Sequence, residues 1–435
     1  MKLKTLIREF EENNFIQVYG KVKKVVGLVV ECEGIKAPIG CVCKIIDSEE
    51  KREILSEVVG FKNSSLLLFP YEDPRGIKAG SLVKKVYSLS FLPVGKGLLG
   101  RVIDSFGRPI DEKGNIEPED FYPLYPSPIN PLKRPRIKDP LDVGIRAING
   151  LLTIGKGQRI GIMAGSGVGK STLMGMIARY TKADVNVIAL IGERGREVLE
   201  FIENSLGEEG LKRSVVVVAT SDQSPLMRIR AAYAATTVAE FFRDQGMDVL
   251  FMMDSVTRFA MALREVGLAA GEPPTTKGYT PSVFAQLPKL LERAGKTEKG
   301  SITGIYTVLV EGDDFTEPVA DAVRSILDGH IVLTRELADQ GHYPSIDVLK
   351  SVSRLRNDVV PKEVVKKANS VISLLATYKR VEDMINIGAY KIGTNKEIDK
   401  AIRAFDKITN YLRQDINEKC SLEESFKELD RILSS

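Results

Sequence analysis

The segment RIGIMAGSGVGKSTLMGMIARY contains a glycine-rich turn followed by a lysine and a serine. The turn and the start of the next helix comprise Gly165, Ser166, Gly167, Val168, Gly169, Lys170, Ser171 and Thr172. Glycines let backbone N–H groups surround phosphate oxygens, and the N-terminus of a helix adds a partial positive charge. Lys170 would reach the terminal phosphates and Ser171 would ligate Mg²⁺. The segment therefore predicts a site for a nucleoside triphosphate with magnesium.

One position departs from the G-x-x-x-x-G-K-[ST] pattern of such loops. Ala164 stands where the pattern has its first glycine. Because that glycine is the farthest from the phosphates, we expect the alanine to be tolerated.

Two further apolar strands end in carboxylates that fit this chemistry. VLFMMDS ends at Asp254, and parallel sheets bind ligands at the carboxyl ends of their strands, where Asp254 would hold the magnesium shell through water. VIALIGERGREV places Glu193 and Arg194 after another such strand. A carboxylate beyond the γ-phosphate can orient and polarise the attacking water, so Glu193 is the candidate general base. A helix cap at Asp254 and a surface ion pair at Glu193 are the structural alternatives.

Far downstream, HYPSIDVLKSVSRL carries Arg354 in a loop. An arginine inserted from a neighbouring subunit stabilises charge on the γ-phosphate in the transition state and contributes about 10³ to 10⁵ in rate. Spacing alone equally allows a solvated arginine, so both interpretations of Arg354 stand at this point.

Length and composition limit the kind of protein that positions these residues. At roughly 150 residues per domain, 435 residues suggest about three domains. The chain is 43% hydrophobic and 28% charged, which indicates a folded protein, and its net charge of +4 gives no strong field for nucleic acid or anionic lipid. Four cysteines without paired spacing and two histidines make a zinc site unexpected, and we expect reduced thiols. No run approaches the ~20 apolar residues of a membrane span.

The patterning along the chain predicts different kinds of structure in succession. In the N-terminal segment, Leu3, Leu6, Ile7 and Phe10 share one face of an amphipathic helix, which would pack on its own domain or dock a partner. From about 17 to 92, short β-rich segments predict a small β-barrel. Six prolines between 121 and 140 predict an extended connection lying against a core.

Beyond residue 158, apolar runs alternate with helical stretches. The runs are RIGIMA, VNVIALIG, VVVVAT, VLFMMDS, ITGIYTVLV and HIVLT. Such alternation predicts a parallel sheet covered on both faces. After about 357 only helical spacing remains. The predicted divisions are an N-terminal amphipathic helix at 1–18, a barrel at 19–92, an ATPase domain at 93–356 and a helical domain at 357–435.

These motifs, in this order, resemble the rotary-type hexameric ATPase superfamily, and most closely the type III export ATPases of the bacterial flagellum. The resemblance also includes LLGRVIDSFGRPID, GIRAINGLLTIGKGQRIGI, GYTPSVFAQLPKLLERAG and PSIDVLKSVS. It covers nearly the whole chain and is densest from about 95 to 356. It implies a multidomain α/β fold with a small N-terminal β-barrel, a central RecA-like P-loop ATPase domain and a C-terminal helical domain.

The resemblance also implies roles for individual residues. Lys170 and Ser171 match the phosphate-loop pair, Glu193 the catalytic glutamate and Asp254 the Walker B aspartate, with ATP and Mg²⁺ as substrate and cofactor. Arg354 matches the arginine finger supplied in trans, and Tyr343 the aromatic residue beside adenine. Arg194 and Arg258 occupy positions near the phosphates.

By the same resemblance, the chain would be one subunit of a homohexamer that drives delivery and unfolding of export substrates at the membrane export gate. The implied partners are a stator-like regulatory protein on the N-terminal helix, a small coiled-coil stalk protein in the ring centre, and export substrates with their chaperones. The implied location is cytoplasmic, peripherally associated with the cytoplasmic face of the inner membrane. No nucleic acid is expected.

Four alternatives remain. Virulence type III secretion ATPases share the same catalytic core and are not separated from the flagellar ones by these residues. The catalytic subunit of an F/V-type ATP synthase fits less well, because its loop usually begins with two glycines whereas this one reads AGSGVGKST. An RNA-translocating hexameric terminator would need stacking aromatics and a basic groove in the barrel, which has few aromatics. A scaffold that binds nucleotide without hydrolysis is the non-enzymatic alternative.

Overall fold

The computed structural model of the chain describes residues 18–47, 52–86, 91–310 and 316–434. The amphipathic helix predicted over 1–18 lies, except for Val18, outside these described residues. A β-barrel, a sheet with helices on both faces and a group of helices follow one another along the described chain. This order confirms the predicted multidomain α/β class.

The described residues from 20 to 47 and from 52 to 86 form a small closed β-barrel. Its strands are β1 (Gly20–Val26), β2 (Val29–Glu33), β3 (Val42–Asp47), β4 (Arg52–Lys62), β5 (Ser65–Pro70) and β6 (Leu82–Val86). They close in the order β1-β2-β5-β4-β3-β6 through antiparallel pairs. Val30, Ile45 and Leu68 belong to one buried core cluster, and Phe69 and Tyr71 are buried as well.

A proline-rich connection links the barrel to the main sheet, as predicted. Its strands are β7 (Phe91–Val94), β8 (Arg101–Ile103), β9 (Asp120–Pro123), β10 (Pro140–Leu141) and β11 (Ile154–Gly155). β7 pairs with β9 and β10 pairs with β11, while β8 joins the edge of the main sheet. Leu124 is fully buried, so the connection lies against the core.

The strands of the main sheet are not ordered as they occur along the chain. They are β12 (Arg159–Ala164), β13 (Val185–Ile191), β14 (Ser214–Ala219), β15 (Asp248–Asp254), β16 (Gly295–Lys296), β17 (Ser301–Leu309), β18 (Gly329–Leu333) and β19 (Ile346–Ser353). The order is β19-β18-β12-β17-β15-β13-β14-β8, with β16 paired to β17. Neighbours along this path are parallel except β18 and β19, which are antiparallel. All six predicted apolar runs form strands of this sheet, which confirms that prediction.

Helices cover both faces of the sheet. One face carries α1 (Arg146–Leu151), α2 (Lys170–Tyr180), α3 (Gly195–Glu200), which continues as a π-helix over Phe201–Leu206, and α4 (Gly207–Lys212). The other face carries α5 (Pro225–Asp244), α6 (Val256–Ala269), α7 (Pro281–Leu291) and α8 (Pro318–Ile326). Because both faces are covered, β13 and β14 are buried along their whole length.

After a short helix, α9 (Arg335–Asp339), and strand β19, the rest of the described chain is helical. The helices are α10 (Arg356–Val359), α11 (Lys362–Asn386), α12 (Lys396–Leu412) and α13 (Leu422–Leu433). They pack against α1, where Gly150 leaves the space that the hydroxyl of Tyr411 occupies. Arg146 also pairs with Glu428 at 3.1 Å. The helical group is therefore fixed to the sheet domain.

Two absences hold over the described ranges. None of the helices described is long and apolar enough to cross a membrane. Likewise, the described residues include no group of three or more His, Cys, Asp or Glu placed to hold a metal ion. The cysteines, Cys32, Cys41, Cys43 and Cys420, are all free thiols.

Candidate active site

The glycine-rich loop lies between the carboxyl end of β12 and the start of α2. Gly169 precedes the helix with φ +87°, in the left-handed region that glycine adopts without strain, and no described side chain caps the helix. The first N–H groups of α2 are therefore left to bind a ligand, as the N-terminus of a helix does with phosphate.

Neighbouring segments hold the loop in place through its carbonyl groups. The hydroxyl of Ser345 donates to the carbonyl of Val168 at 2.6 Å, and Arg335 donates to the carbonyl of Ser166 at 3.1 Å. Because these two carbonyl oxygens accept hydrogen bonds from residues outside the loop, the conformation of the loop is stabilised independently of phosphate.

Lys170 lies between two carboxylates at the same edge of the sheet. Its Nζ is 2.5 Å from Asp254 Oδ1 and 3.8 Å from Glu193 Oε1. Asp254 is buried at the end of β15, and the hydroxyl of Thr307 donates to its Oδ1 at 2.6 Å. The lysine therefore has carboxylate partners, with which a triphosphate would compete for its charge.

Glu193 follows β13 and is the titrating group of this site. Burial, and then the nearby charge of Asp254, raise its pKa to about 7, against the opposing effect of Lys170. A hydrogen bond with Glu193 lowers the pKa of Glu197, which also pairs with Arg194 at 3.1 Å. A carboxyl group with a pKa near neutrality can accept a proton from water and release it again at working pH.

Two arginines near Glu193 differ in their surroundings. Arg194 is largely exposed and bound to Glu197. The stem of Arg258, on α6, packs on Gly192, and its buried Nε lacks a hydrogen-bond partner among the described residues. An unpaired buried donor on a guanidinium is costly, and a phosphate oxygen is the kind of group that satisfies it.

The ring of Tyr343 lies against the glycine loop. A Cβ added at Gly169 would be 3.4 Å from two of its ring carbons, and the side chain is 47% exposed. The backbone carbonyl of Tyr343 accepts from the backbone N–H of Gln414, in the C-terminal helical part. The tyrosine therefore exposes part of its ring next to the loop, while its backbone is held by the hydrogen bond from Gln414.

Arg354 lies at the opposite edge of the sheet from the loop. β19 runs antiparallel to β18, so its last residue, Ser353, pairs with Gly329 at the amino end of β18. The N–H of Arg354 then donates to the carbonyl of Asp328 at 3.0 Å, and its side chain is exposed. The six residues of β12 span these two edges, about 16 Å at about 3.3 Å per residue. Arg354 thus lies at the far edge from the glycine loop of its own chain.

The residues of this edge fit a triphosphate with magnesium. Free helix N–H groups, the ammonium of Lys170 and the unpaired Nε of Arg258 would supply donors for phosphate oxygens. Ser171 is exposed at the start of α2, and the residue before it, Lys170, donates a hydrogen bond to Asp254. A hydroxyl and a carboxylate are oxygen ligands suited to Mg²⁺ or to its water shell.

Sequence reasoning missed two residues of the site. Thr307 reaches Asp254 because β17 lies next to β15 in the sheet, an order that the chain does not reveal. Glu197 could have been found, since it comes four residues after Glu193 at the start of a helix, within reach of it.

Family models match three successive parts of the chain. Residues 22–86 match the β-barrel domain of the ATP synthase alpha/beta family, and residues 144–353 match its nucleotide-binding domain. Residues 360–431 match the C-terminal domain of the T3SS EscN ATPase.

Curated relatives match over nearly the full length. The chain is 56% identical to the flagellum-specific ATP synthase of Bacillus subtilis (strain 168), over 99% of this chain and 98% of that protein. It is 47% identical to the type 3 secretion system ATPase of Xanthomonas euvesicatoria, over 98% of this chain and 97% of that protein.

Solved structures match the same length of chain. The assembled ATPase EscN of the enteropathogenic E. coli type III secretion system has a TM-score of 0.91 and 48% identity, over 95% of this chain and 100% of that one. EscN in complex with its central stalk EscO has a TM-score of 0.88 and 47% identity, with the same two shares covered.

Proposed function

The chain belongs to the ATPases of flagellar and type III secretion systems, within the ATP synthase alpha/beta family, and from that premise we propose that it hydrolyses Mg²⁺-ATP. Hydrolysis takes place at sites shared between neighbouring copies of a homohexameric ring and drives flagellar protein export. The observation that carries the hydrolysis is the convergence of Lys170, Glu193 and Asp254 at the edge where the glycine loop opens.

Each of these residues has a separate part in the reaction. Glu193 orients the attacking water and takes its proton, for which its raised pKa suits it. Lys170 and the N–H groups of α2 neutralise charge on the phosphates. Mg²⁺, held by Ser171 and through water by Asp254, would supply further charge neutralisation on the phosphate oxygens.

The position of Arg354 supports sharing of sites between copies. A finger arginine has to reach the γ-phosphate, and this one lies at the far edge of its own sheet. In a head-to-tail ring, the far edge of one copy meets the loop edge of the next. Each copy would then bind ATP with its own Lys170 and complete the next copy's site with Arg354.

Mixing two inactive variants tests the sharing. Lys170→Ala and Arg354→Ala chains should each be inactive alone. In an equal random mixture about a quarter of the contacts pair an intact loop with an intact arginine, so about a quarter of wild-type turnover should return. No recovery in mixed rings whose formation is verified by cross-linking would contradict shared sites. Turnover by the wild type but none by a Glu193→Gln variant would argue against a role for the chain as a scaffold, and wild-type turnover by this variant would exclude Glu193 as the general base.

Protein export is the work that the relatives support. The flagellum-specific relative is 56% identical, the type 3 secretion relative 47% and a solved type III secretion ATPase 53% over 79% of this chain, so the flagellar system is proposed on overall similarity alone. The identity of the neighbouring genes separates the two. Flagellar genes beside this one would support the proposal, and genes of a virulence secretion system would overturn this part of it.

The proposed partners follow from the same relationship. EscN was solved with its central stalk EscO, which supports a coiled-coil stalk in the ring of this chain. A stator-like regulator would dock on residues 1–18, chaperone-bound export substrates would enter at the ring, and the ring would lie at the cytoplasmic face of the inner membrane beside the export gate. Deleting residues 1–18 should abolish regulator binding, and unchanged affinity would exclude that docking site.

An RNA-translocating role is not favoured by the barrel. Phe69 and Tyr71 are 1% and 2% exposed and cannot stack on bases, which leaves Tyr19 and Phe61, 38% and 57% exposed, as the accessible aromatics among the described residues of the barrel. Hydrolysis that is stimulated by single-stranded RNA would reverse this preference.

A further inference from the structure

A cavity of about 650 Å³ opens at the edge of the sheet that carries Arg354. Three alternate residues of the extended segment before β10 line it, Arg134, Arg136 and Lys138, which we call the basic strip. Alternate residues of an extended chain point the same way, so their charges gather on one side.

The charge of the basic strip is not neutralised within the described chain. Arg134 donates to two backbone carbonyls, of Ala294 and Glu292, and Arg136 and Lys138 are exposed without an ion pair to a described residue. The other cations of the cavity wall are paired: Arg159 with Asp328 at 3.1 Å, and Lys296 with Asp139 at 2.8 Å. Asp358 is the remaining acidic residue of the lining, so positive charge is in excess.

The basic strip borders the residue that completes the neighbouring site. Asp328, which lines the cavity, accepts the N–H of Arg354, and Leu355 is part of the lining. Leu132, two residues before the strip, is 95% exposed. Arg136 and Lys138 therefore line the same cavity as Leu355 without an ion pair to a described residue, and an exposed leucine precedes them in the chain.

The helix that follows β13 carries a surface of the complementary kind, which starts near the loop edge and runs back along one face of the sheet. Directly after Glu193, the helix formed by α3 and the π-helix exposes Leu199, Glu200 and Glu203, and Glu208 follows on α4. Leu199 is 56% exposed. We call residues 199–208 the acidic segment. It presents a leucine among carboxylates, and the basic strip presents cations with an exposed leucine, Leu132, two residues before them.

We propose that the acidic segment of one copy docks on the basic strip of the next copy, and that this contact sets the position from which Arg354 enters the neighbouring Glu193 site. The inference rests on the proposed function, because it needs the ring. Complementary charge steers two surfaces into one register, and a head-to-tail contact of this kind repeats around a closed ring. The basic strip lies beside Arg354, and the acidic segment begins six residues after Glu193.

Charge reversal tests the docking. R136E/K138E leaves a chain with two acidic surfaces, and E200K/E203K leaves a chain with two basic ones. Alone, each should assemble and hydrolyse ATP about tenfold less well per subunit than the wild type at low salt, because like charges meet at every contact. An equal mixture should recover most of the loss, since alternating copies restore opposite charges at every contact.

The control is K391E/K400E, which makes the same change of charge on exposed lysines in the C-terminal part. Sedimentation velocity with a non-hydrolysable ATP analogue measures assembly, and thermal melting verifies that each variant is folded. Wild-type assembly should also weaken as salt rises from about 0.05 to 0.3 M, because exposed charges are screened.

Two results would overturn the docking. One is assembly of R136E/K138E that equals that of the control, and the other is absence of any recovery in the mixture of reversed chains. If wild-type turnover rises with protein concentration and the charge-reversed variants show the same turnover, the docking is overturned and the proposed function stands. Absence of wild-type turnover would overturn the proposed function and the docking with it.

Discussion

Replacing Glu193 by glutamine should stabilise the nucleotide-free chain at alkaline pH while it abolishes hydrolysis. The folded chain raises the pKa of this carboxyl from 4.5 to about 7. Between those pH values the folded state binds the proton more tightly than the unfolded state, so the free energy of unfolding falls as the pH rises through this window. At about 1.4 kcal/mol per pKa unit, the loss above pH 7 is up to about 3 kcal/mol.

Glutamine resembles the protonated carboxyl and carries no charge to desolvate, so the variant escapes this loss. The difference in melting temperature between variant and wild type should be near zero around pH 5 and grow through pH 7. For a domain of 150 to 250 residues, each kcal/mol corresponds to about 2 to 4 °C, so several degrees are expected at pH 8.5. Glu298→Gln, which makes the same change at an exposed position, is the control.

The same group should appear in the kinetics, because the pH dependence of kcat/KM reports the ionisation of the free enzyme. Below pH 7, kcat/KM should fall about tenfold per pH unit as Glu193 is protonated. A melting difference that does not change with pH, together with a flat kcat/KM between pH 5.5 and 8, would refute the reasoning about this carboxyl.

Three further substitutions probe the walls of the site. Thr307→Val removes the hydroxyl that holds Asp254, so the Mg²⁺ concentration for half-maximal turnover should rise several-fold, and an unchanged Mg²⁺ dependence would contradict this. Tyr343→Ala should raise the KM for ATP by about 5 to 150-fold, the value of a stacking contact of about 1–3 kcal/mol, while Tyr343→Phe keeps the wild-type KM. Gly169→Ala should abolish the binding of a fluorescent ATP analogue, because φ is +87° there and alanine adopts this conformation only with strain; retained affinity would show that the loop adapts.

The strands and the loop of the central domain could be predicted because the signals are local. A strand buried on both faces is a continuous apolar run, and β13 and β14 are of this kind. The turn after β12 can be recognised in the sequence by its glycines and by the lysine and serine that follow them. These features need no knowledge of what lies next to them in space.

The order of the strands could not be predicted, and two features of the site depend on it. β17 lies between β12 and β15, which brings Thr307 to Asp254. β19 adds antiparallel to β18, which places Arg354 at the far edge. Neither pairing leaves a trace in residue periodicity, because each is set by contacts between segments distant along the chain.

The tyrosine beside the glycine loop also belongs to a chain of hydrogen bonds that reaches the C-terminal helical part. The carbonyl of Tyr343 accepts the N–H of Gln414, whose side chain donates to the carbonyl of Gly144 and accepts the N–H of Arg146. Gln414, in the C-terminal part, thus forms hydrogen bonds both to Tyr343, beside the glycine loop, and to the residues at the start of α1. A shift of the Tyr343 backbone as ATP enters or leaves would therefore be transmitted through Gln414 to the helical part and to the start of α1.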